Sequence, residues 1–224
     1  MPKKIGVVTI GQSPRVDVVP EMCSILGSGV EIMEGGALDG LSYEEILAFA
    51  PRNGDYVLVT TLNDGRSVTI GKPFIISRMQ AQIDRLIHEG AEGILLLCTG
   101  NLPKFSCPKL VLSPQVMLQH FVAGVAAGLR LGVIIPDPAQ VARSLERWTA
   151  GHDGPICVKP ASPYGQEDNI EETALALKAW GPDLIVLDCI GFNQAMKQEV
   201  ERLTGVPVVL PRNVVARTMA ELFS

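Results

Sequence analysis

The sequence predicts an α/β protein of two similar halves, each a mostly parallel sheet flanked by helices. Three observations carry that prediction. Short, continuously apolar runs end at glycine-containing turns, as in Ile94–Leu97 before Cys98 and Leu184–Leu187 before Asp188-Cys189; such runs mark strands buried on both faces. These runs alternate with stretches of helical period, the order that gives parallel strands covered by helices. The order also recurs: Leu131-Gly132-Val133-Ile134-Ile135-Pro136 echoes Ile5-Gly6-Val7-Val8-Thr9-Ile10, and each half closes a late strand with a cysteine. This is internal duplication, carried by element order more than by identities.

Each element has its own warrant. Ile5–Ile10 is the first buried strand, and Gly11-Gln12-Ser13-Pro14-Arg15 a turn and helix start, with Ser13 as N-cap, Pro14 at N1 and the helix running to Leu26 past Pro20. Val30–Met33 is a second strand, followed by a glycine-rich loop over residues 34–40. Ser42 with Glu45 reads as a capping box for a short helix. Asp55–Leu62 and Arg66–Ile70 form a hairpin about Asn63-Asp64-Gly65. Phe74, Ile75, Met79, Ile83, Leu86 and Ile87 keep a period of 3.6 in a helix over Pro73–Glu89. The Cys98 strand follows, then a strand at Lys109–Leu112 and a helix from Ser113-Pro114. The second half reads Arg130–Ile135 (strand), a helix capped by Asp137-Pro138, Ile156–Lys159 (strand), a helix opened by Asp168 or Asn169, the Cys189 strand, a helix from Asn193, a last strand at Val206–Leu210 and a closing helix from Pro211-Arg212. The expected division is residues 1–112 plus 209–224 as an N-terminal lobe carrying Cys98, and 113–208 as a C-terminal lobe carrying Cys189. The terminal strand and helix are placed on the first lobe.

Composition bounds the function. In 224 residues, 47% hydrophobic and 19% charged, a sizeable core is available and disorder is excluded as the dominant state. A net charge of -5 without a basic run argues against nucleic acid and anionic membranes as partners. No apolar run reaches the roughly 18 residues of a membrane helix. The apolar run after Met1-Pro2-Lys3-Lys4 stops at Ile10, too short for a signal peptide, so a cytoplasmic protein is expected. Five cysteines (Cys23, Cys98, Cys107, Cys157, Cys189), an odd number, do not suggest a disulfide framework. With no CxxC and three isolated histidines, no metal site is expected. GxGxxG is absent after the first strand, so NAD is not an expected cofactor.

Together, Ile10-Gly11-Gln12-Ser13-Pro14-Arg15, Gly36-Ala37-Leu38-Asp39-Gly40-Leu41, Leu97-Cys98-Thr99-Gly100, Ala161-Ser162-Pro163-Tyr164 and Asp188-Cys189-Ile190-Gly191 resemble the AroM family over essentially the whole chain. That family is similar to the aspartate/glutamate racemase superfamily, with its hydantoin racemases, maleate isomerases and arylmalonate decarboxylases. The resemblance implies a pseudo-symmetric two-lobe α/β fold with one cysteine per lobe at an inter-lobe cleft, no cofactor, and chemistry on carbon acids next to carboxylates. The chain departs from the racemase pattern of Asn-Thr and Thr-His after the cysteines. Cys98 is followed by Thr99-Gly100-Asn101, and Cys189 by Ile190-Gly191-Phe192 with no histidine.

The candidate catalytic residues are therefore Cys98 and Cys189. Two thiols facing one carbon can act as base and acid, or one thiolate can add to a double bond. Helix N-termini following the cysteines are expected to favour their thiolates. Open α/β sheets bind ligands past the carboxyl ends of their strands. The candidate substrate-binding residues stand there: Gln12, Ser13, Arg15, Thr61, Thr99, Gly100, Asn101, Ser162, Tyr164, Ile190 and Gly191. Arg15 offers a bidentate fork to an anion. Asp188 would either raise the neighbouring thiol's pKa or orient a hydrogen bond. Cys23, Cys107 and Cys157 read as structural. Of the two candidate thiols, Cys98 has the richer polar company in sequence. The expected function is a cofactor-independent isomerase, racemase or lyase acting on a small carboxylate. The alternative, favoured by the missing histidine, is a catalytically inactive carboxylate-binding or regulatory protein on the same fold. A homodimer is compatible with either.

Overall fold

In the computed structural model, which describes residues 2–164 and 169–223, the first sheet is built on β1 (Lys3–Thr9). It pairs in parallel with β2 (Val30–Gly36) on one side and β5 (Gly93–Leu97) on the other, and β5 pairs in parallel with β6 (Leu110–Leu112). The order is β2-β1-β5-β6. Helix α1 (Val19–Leu26) joins β1 to β2, α2 (Tyr43–Leu47) precedes an antiparallel hairpin of β3 (Val57–Thr61) and β4 (Ser67–Gly71), and α3 (Ile76–His88) leads into β5. The second sheet has order β10-β9-β7-β8 and is also parallel throughout. Its strands are β7 (Leu131–Ile135), β8 (Ile156–Pro160), β9 (Leu184–Leu187) and β10 (Val208–Val209). Its helices are α4 (Pro114–Val125), α5 (Val141–Thr149), α6 (Ile170–Trp180) and α7 (Gln194–Thr204), and α8 (Pro211–Phe223) ends the chain.

The chain divides into a first unit, Met1–Pro114 with Val215–Ser224, and a second, Gln115–Val214. The second unit shows why its strands read as unbroken apolar runs. Ile134, Ile185 and Leu187 pack with Ile170, Ala174 and Leu177 of α6 and Val200 of α7. Their neighbours Val133, Ile135, Leu184 and Val186 pack with Leu118 and Val122 of α4 and Trp148 of α5. Alternate side chains leave opposite faces of a strand, and here both faces are covered. In the first unit Val8, Ile94 and Leu96 meet Met79, Ile83 and Leu86 of α3 in one core. Their strand neighbours Val7, Leu95 and Leu97 are buried as well.

Several boundaries differ from the sequence reading. Ser13 is not a helix cap. The Ser13–Pro14 peptide is cis, α1 begins at Val19, and Pro20 lies in its first turn, where a missing N–H costs nothing. Strand β2 extends to Gly36, which pairs with Thr9, so the first three residues of the glycine-rich loop are strand. Short 3₁₀ turns at Lys72–Phe74 and Pro138–Gln140 precede α3 and α5; Asp137 caps the second through Ala139 N–H. The Ser42–Glu45 capping box forms with its expected bonds, and Asn193 caps α7 by accepting from Met196 N–H. Asp168 lies outside the described residues, and Asn169 precedes α6 without a side-chain cap bond. The last strand does not join the first sheet: β10 pairs with β9, and residues 209–214 belong to the second unit, so the boundary falls inside α8. Val208 and Val209 supply the edge that β9 lacks.

Candidate functional site

Each sheet reverses its strand order once. In the first, the chain steps from β1 out to β2, then returns to β5 and out to β6, so the reversal lies between β1 and β5. In the second it lies between β7 and β9. Ligands of open parallel sheets bind past the strand ends at such points. Cys98 directly follows β5, and Cys189 follows β9 by two residues.

The two cysteines sit in the same small turn. Cys98 N–H donates to Leu96 O at 2.8 Å, and Gly100 N–H to Cys98 Sγ at 3.2 Å. Cys189 N–H donates to Leu187 O at 2.9 Å, and Gly191 N–H to Cys189 Sγ at 3.5 Å. An i to i+2 turn thus aims a backbone donor at each sulfur. A donor on sulfur favours thiolate over thiol. Both thiols are buried, Cys98 8% and Cys189 7% exposed. No helix follows Cys98 within residues 99–108, so the expected helix N-terminus is absent there; α7 begins five residues beyond Cys189.

In the first unit three loops are tied together past the end of β1, the strand that pairs with β5. Gln12 Oε1 accepts from Asn63 N–H at 3.0 Å, and Asn63 Nδ2 donates to Ser13 O at 2.9 Å. Gly11 lies against the hairpin so closely that a Cβ there would fall 3.1 Å from Thr61 O. Ser13 gives its N–H (2.7 Å) and hydroxyl (2.6 Å) to Asp39, which also accepts from Gly36 N–H at 2.8 Å. Asp39 is thus a loop clasp. Arg78 completes that clasp through the carbonyls of Ala37 and Asp39. Thr61 Oγ1 donates to Arg66 O at 3.4 Å across the hairpin, and Thr99 is buried. Asn101 N–H donates to the Tyr56 hydroxyl (3.2 Å), and its carbonyl accepts from Lys72 Nζ (3.1 Å), whose ammonium lies over the Tyr56 ring. Arg15 differs from the rest. It is 2% exposed, binds Asp17 through both Nε and Nη2, and donates from Nη1 to Thr9 Oγ1. Its fork braces the end of β1 from within.

In the second unit Tyr164 lies on the Cys189 turn. Its hydroxyl is 3.8 Å from Cys189 Sγ, and a Cβ on Gly191 would fall 2.6 Å from its Cε1 and closer to its hydroxyl. Ser162 Oγ accepts from Tyr164 N–H at 3.2 Å and so fixes the approach of that loop. Ile190 is 3% exposed and contributes its carbonyl, not its side chain: Arg212 donates from Nε and Nη2 to Ile190 O and from Nη2 to Gly191 O. Asp188 is bound by Arg147 and accepts from Trp148 Nε1 at 2.8 Å, which is the orienting alternative. Arg212, Tyr56 and Lys72 were not singled out in the sequence, where nothing local distinguishes them from a helix-start arginine, a strand tyrosine and a solvated lysine.

Of the other thiols, Cys107 also accepts a backbone N–H two residues on, from Lys109 at 3.4 Å, but in a loop and not at a sheet's reversal point. Burial pushes the pKa of Cys23 up, with Glu34 adding to it, and burial likewise raises Cys157. Among the described residues no three His, Cys, Asp or Glu gather as a metal site, and no helix is long and apolar enough to cross a membrane.

The profile of the family described as AroM protein matches residues 5–223. The chain belongs to the AroM family. This AroM protein is similar in fold to solved racemases and isomerases. Nocardia farcinica maleate cis-trans isomerase bound to TRIS aligns with TM-score 0.65 and 15% identity over 98% of this chain and 91% of that one. A cysteine-to-serine variant of the same isomerase, with a covalently bound succinylcysteine intermediate, aligns with TM-score 0.61 and 17% identity over 99% and 92%. A Bacillus anthracis glutamate racemase aligns with TM-score 0.64 and 13% identity over 98% and 81%. A search of curated protein sequences finds no significant match.

Proposed function

We propose that this AroM protein is a cofactor-independent isomerase, racemase or lyase acting on a small carboxylate, with Cys98 and Cys189 as its reacting thiols. The observation that carries the reading is the repeated turn: strand end, cysteine, and a glycine N–H two residues on aimed at sulfur, once at each sheet's reversal point. The similar solved structures lend it substrate classes, namely maleate, glutamate and, in arylmalonate decarboxylase, an arylmalonate.

Two routes follow from thiol chemistry. In proton transfer, one thiolate takes the hydrogen from the carbon next to the carboxylate, the electron pair passes into the carboxylate as an enediolate, and the other thiol returns a proton to the opposite face. In addition, a thiolate bonds to one carbon of a double bond, the electron pair moves to the carbon bearing the carboxylate, the resulting single bond rotates, and expulsion of the thiolate restores the double bond. Carboxylate binding falls to Gln12, Thr61 and the Thr99–Asn101 turn in one unit and to Ser162 and the Gly191 turn in the other. Lys72 adds a positive charge beside Asn101.

The test is a panel of maleate, aspartate, glutamate and an arylmalonate incubated with the protein in deuterated water and followed by NMR. One acid is expected to isomerise, decarboxylate or exchange its α-hydrogen, and Cys98→Ser or Cys189→Ser to slow it at least about 100-fold, the scale of a lost acid or base. Turnover that survives both substitutions overturns the mechanism. Dicarboxylates that shield the thiols from alkylation without any turnover would establish the non-catalytic binding reading instead.

A further inference from the structure

We infer that the Tyr164 phenol is the hydrogen-bond donor that stabilises the Cys189 thiolate, beside a cysteine that no histidine accompanies. The inference deepens the proposed function and rests on its assignment of Cys189. Its physical basis is local to the second unit. The hydroxyl lies 3.8 Å from Cys189 Sγ, within reach of a sulfur hydrogen bond. The ring is placed there by construction, since it presses on Gly191 where any side chain would collide with it. Tyr164 N–H is tied to Ser162 Oγ, and Gly191 N–H meets the same sulfur from the backbone at 3.5 Å. The first unit has a tyrosine against the equivalent glycine, with Gly100's Cβ position 3.7 Å from Tyr56 Cε1, yet the Tyr56 hydroxyl serves Asn101 N–H.

When the pair gives up one proton the charge is placed on sulfur, since a thiol is ordinarily the stronger acid of the two. One proton leaves to water, the charge stays on sulfur, and the phenol O–H donates to it. When sulfur then takes a substrate hydrogen, the phenol keeps its own proton and the pair returns to neutral. The charged groups bonded to this turn and its flanks are Asp188, held by Arg147, and Arg212 on the Ile190 and Gly191 carbonyls. All three persist in a Tyr164 variant, so they form a constant background.

The experiment compares the full chain with Tyr164→Phe, which keeps the ring over Gly191 and removes only the hydroxyl. Iodoacetamide alkylation of each cysteine is followed by peptide mass spectrometry from pH 5 to 10, alongside thermal unfolding. The substitution is expected to move the Cys189 midpoint up by about half a pH unit or more, roughly threefold less thiolate at neutral pH. The Cys98 profile should stay fixed and Tm within about 2 °C. An unchanged Cys189 profile in a folded Tyr164→Phe protein overturns the inference. If Tyr164→Phe has unfolded, Gly191→Ala, which retains the phenol but displaces it from sulfur, must reproduce the Cys189 shift; an unshifted profile there overturns the inference equally. A shifted profile without turnover of any panel acid leaves the phenol–thiol pair standing while the enzymatic reading falls. Turnover with no shift does the reverse.

Discussion

Cys189 and Cys98 share a backbone turn, and the sulfur of Cys189 also lies beside a phenol. Tyr164 reaches Cys189 from 25 residues upstream, and its place is kept by a glycine rather than by a partner residue. Gly191→Ala should therefore push the ring aside; the expected outcome is a Cys189 alkylation profile that copies Tyr164→Phe, while the Gly100 turn and Cys98 react as before. The remaining thiols give a second check. Burial raises the pKa of both Cys23 and Cys157, so at a given pH each holds less thiolate than a free cysteine and reacts more slowly. Lowering the pH from 8 to 6 should silence these two first. If the Cys189 alkylation midpoint lies no lower than those of Cys23 and Cys157, the turn does not offset burial at that sulfur.

At the scale of elements, α8 matters before it is a helix. Its second residue, Arg212, is fully buried and feeds both carbonyls that follow Cys189. Replacing it by Met leaves those carbonyls without their charged donor, and hydrogen bonds to charged groups contribute about 1.5–3 kcal/mol each. Arg212→Met is expected to cost roughly 2–4 kcal/mol in urea unfolding, with Arg212→Lys intermediate because it keeps charge but loses the fork; a change under about 0.5 kcal/mol would refute the brace. Little of this was legible in the sequence. The buried strands were, because apolar runs between glycines leave few alternatives, and so was the Ser42–Glu45 cap, because its two partners are three residues apart. Ser13-Pro14 misled because the same dipeptide opens helices and shapes turns. What decided was Asp39, 26 residues away, which takes both the Ser13 amide and its hydroxyl. Arg15 misled in the same way. Its position past a strand end was right, but Thr9 and Asp17 claim its fork. Local pattern specifies backbone; which side chains a loop recruits depends on contacts that the pattern does not contain.

At the scale of the whole molecule, the chain builds one sheet topology twice and then returns to the first unit with the end of α8. Val215, Ala216, Met219 and Phe223 are all buried, and Phe223 lies over Gly93 at the start of β5, where a Cβ would fall 2.7 Å from its ring. Burial of side chains such as Val, Met and Phe contributes about 1.5–3 kcal/mol each, so this last stretch supplies several kcal/mol to a protein whose net stability is typically about 5–15 kcal/mol. Arg212 and β10 lie before it, inside the second unit. A chain ending at Val214 therefore keeps Arg212 on the Ile190 and Gly191 carbonyls and Tyr164 beside Cys189, and loses a wall of the first core. Hydrogen exchange on that shortened chain should show β1 and β5 amides losing protection while β7 and β9 retain theirs, and Cys98 should alkylate faster than in the full chain with Cys189 little changed. Equal loss of protection in both sheets would mean that the two units unfold as one body, and that the duplicated halves are not separable in energy as they are in topology.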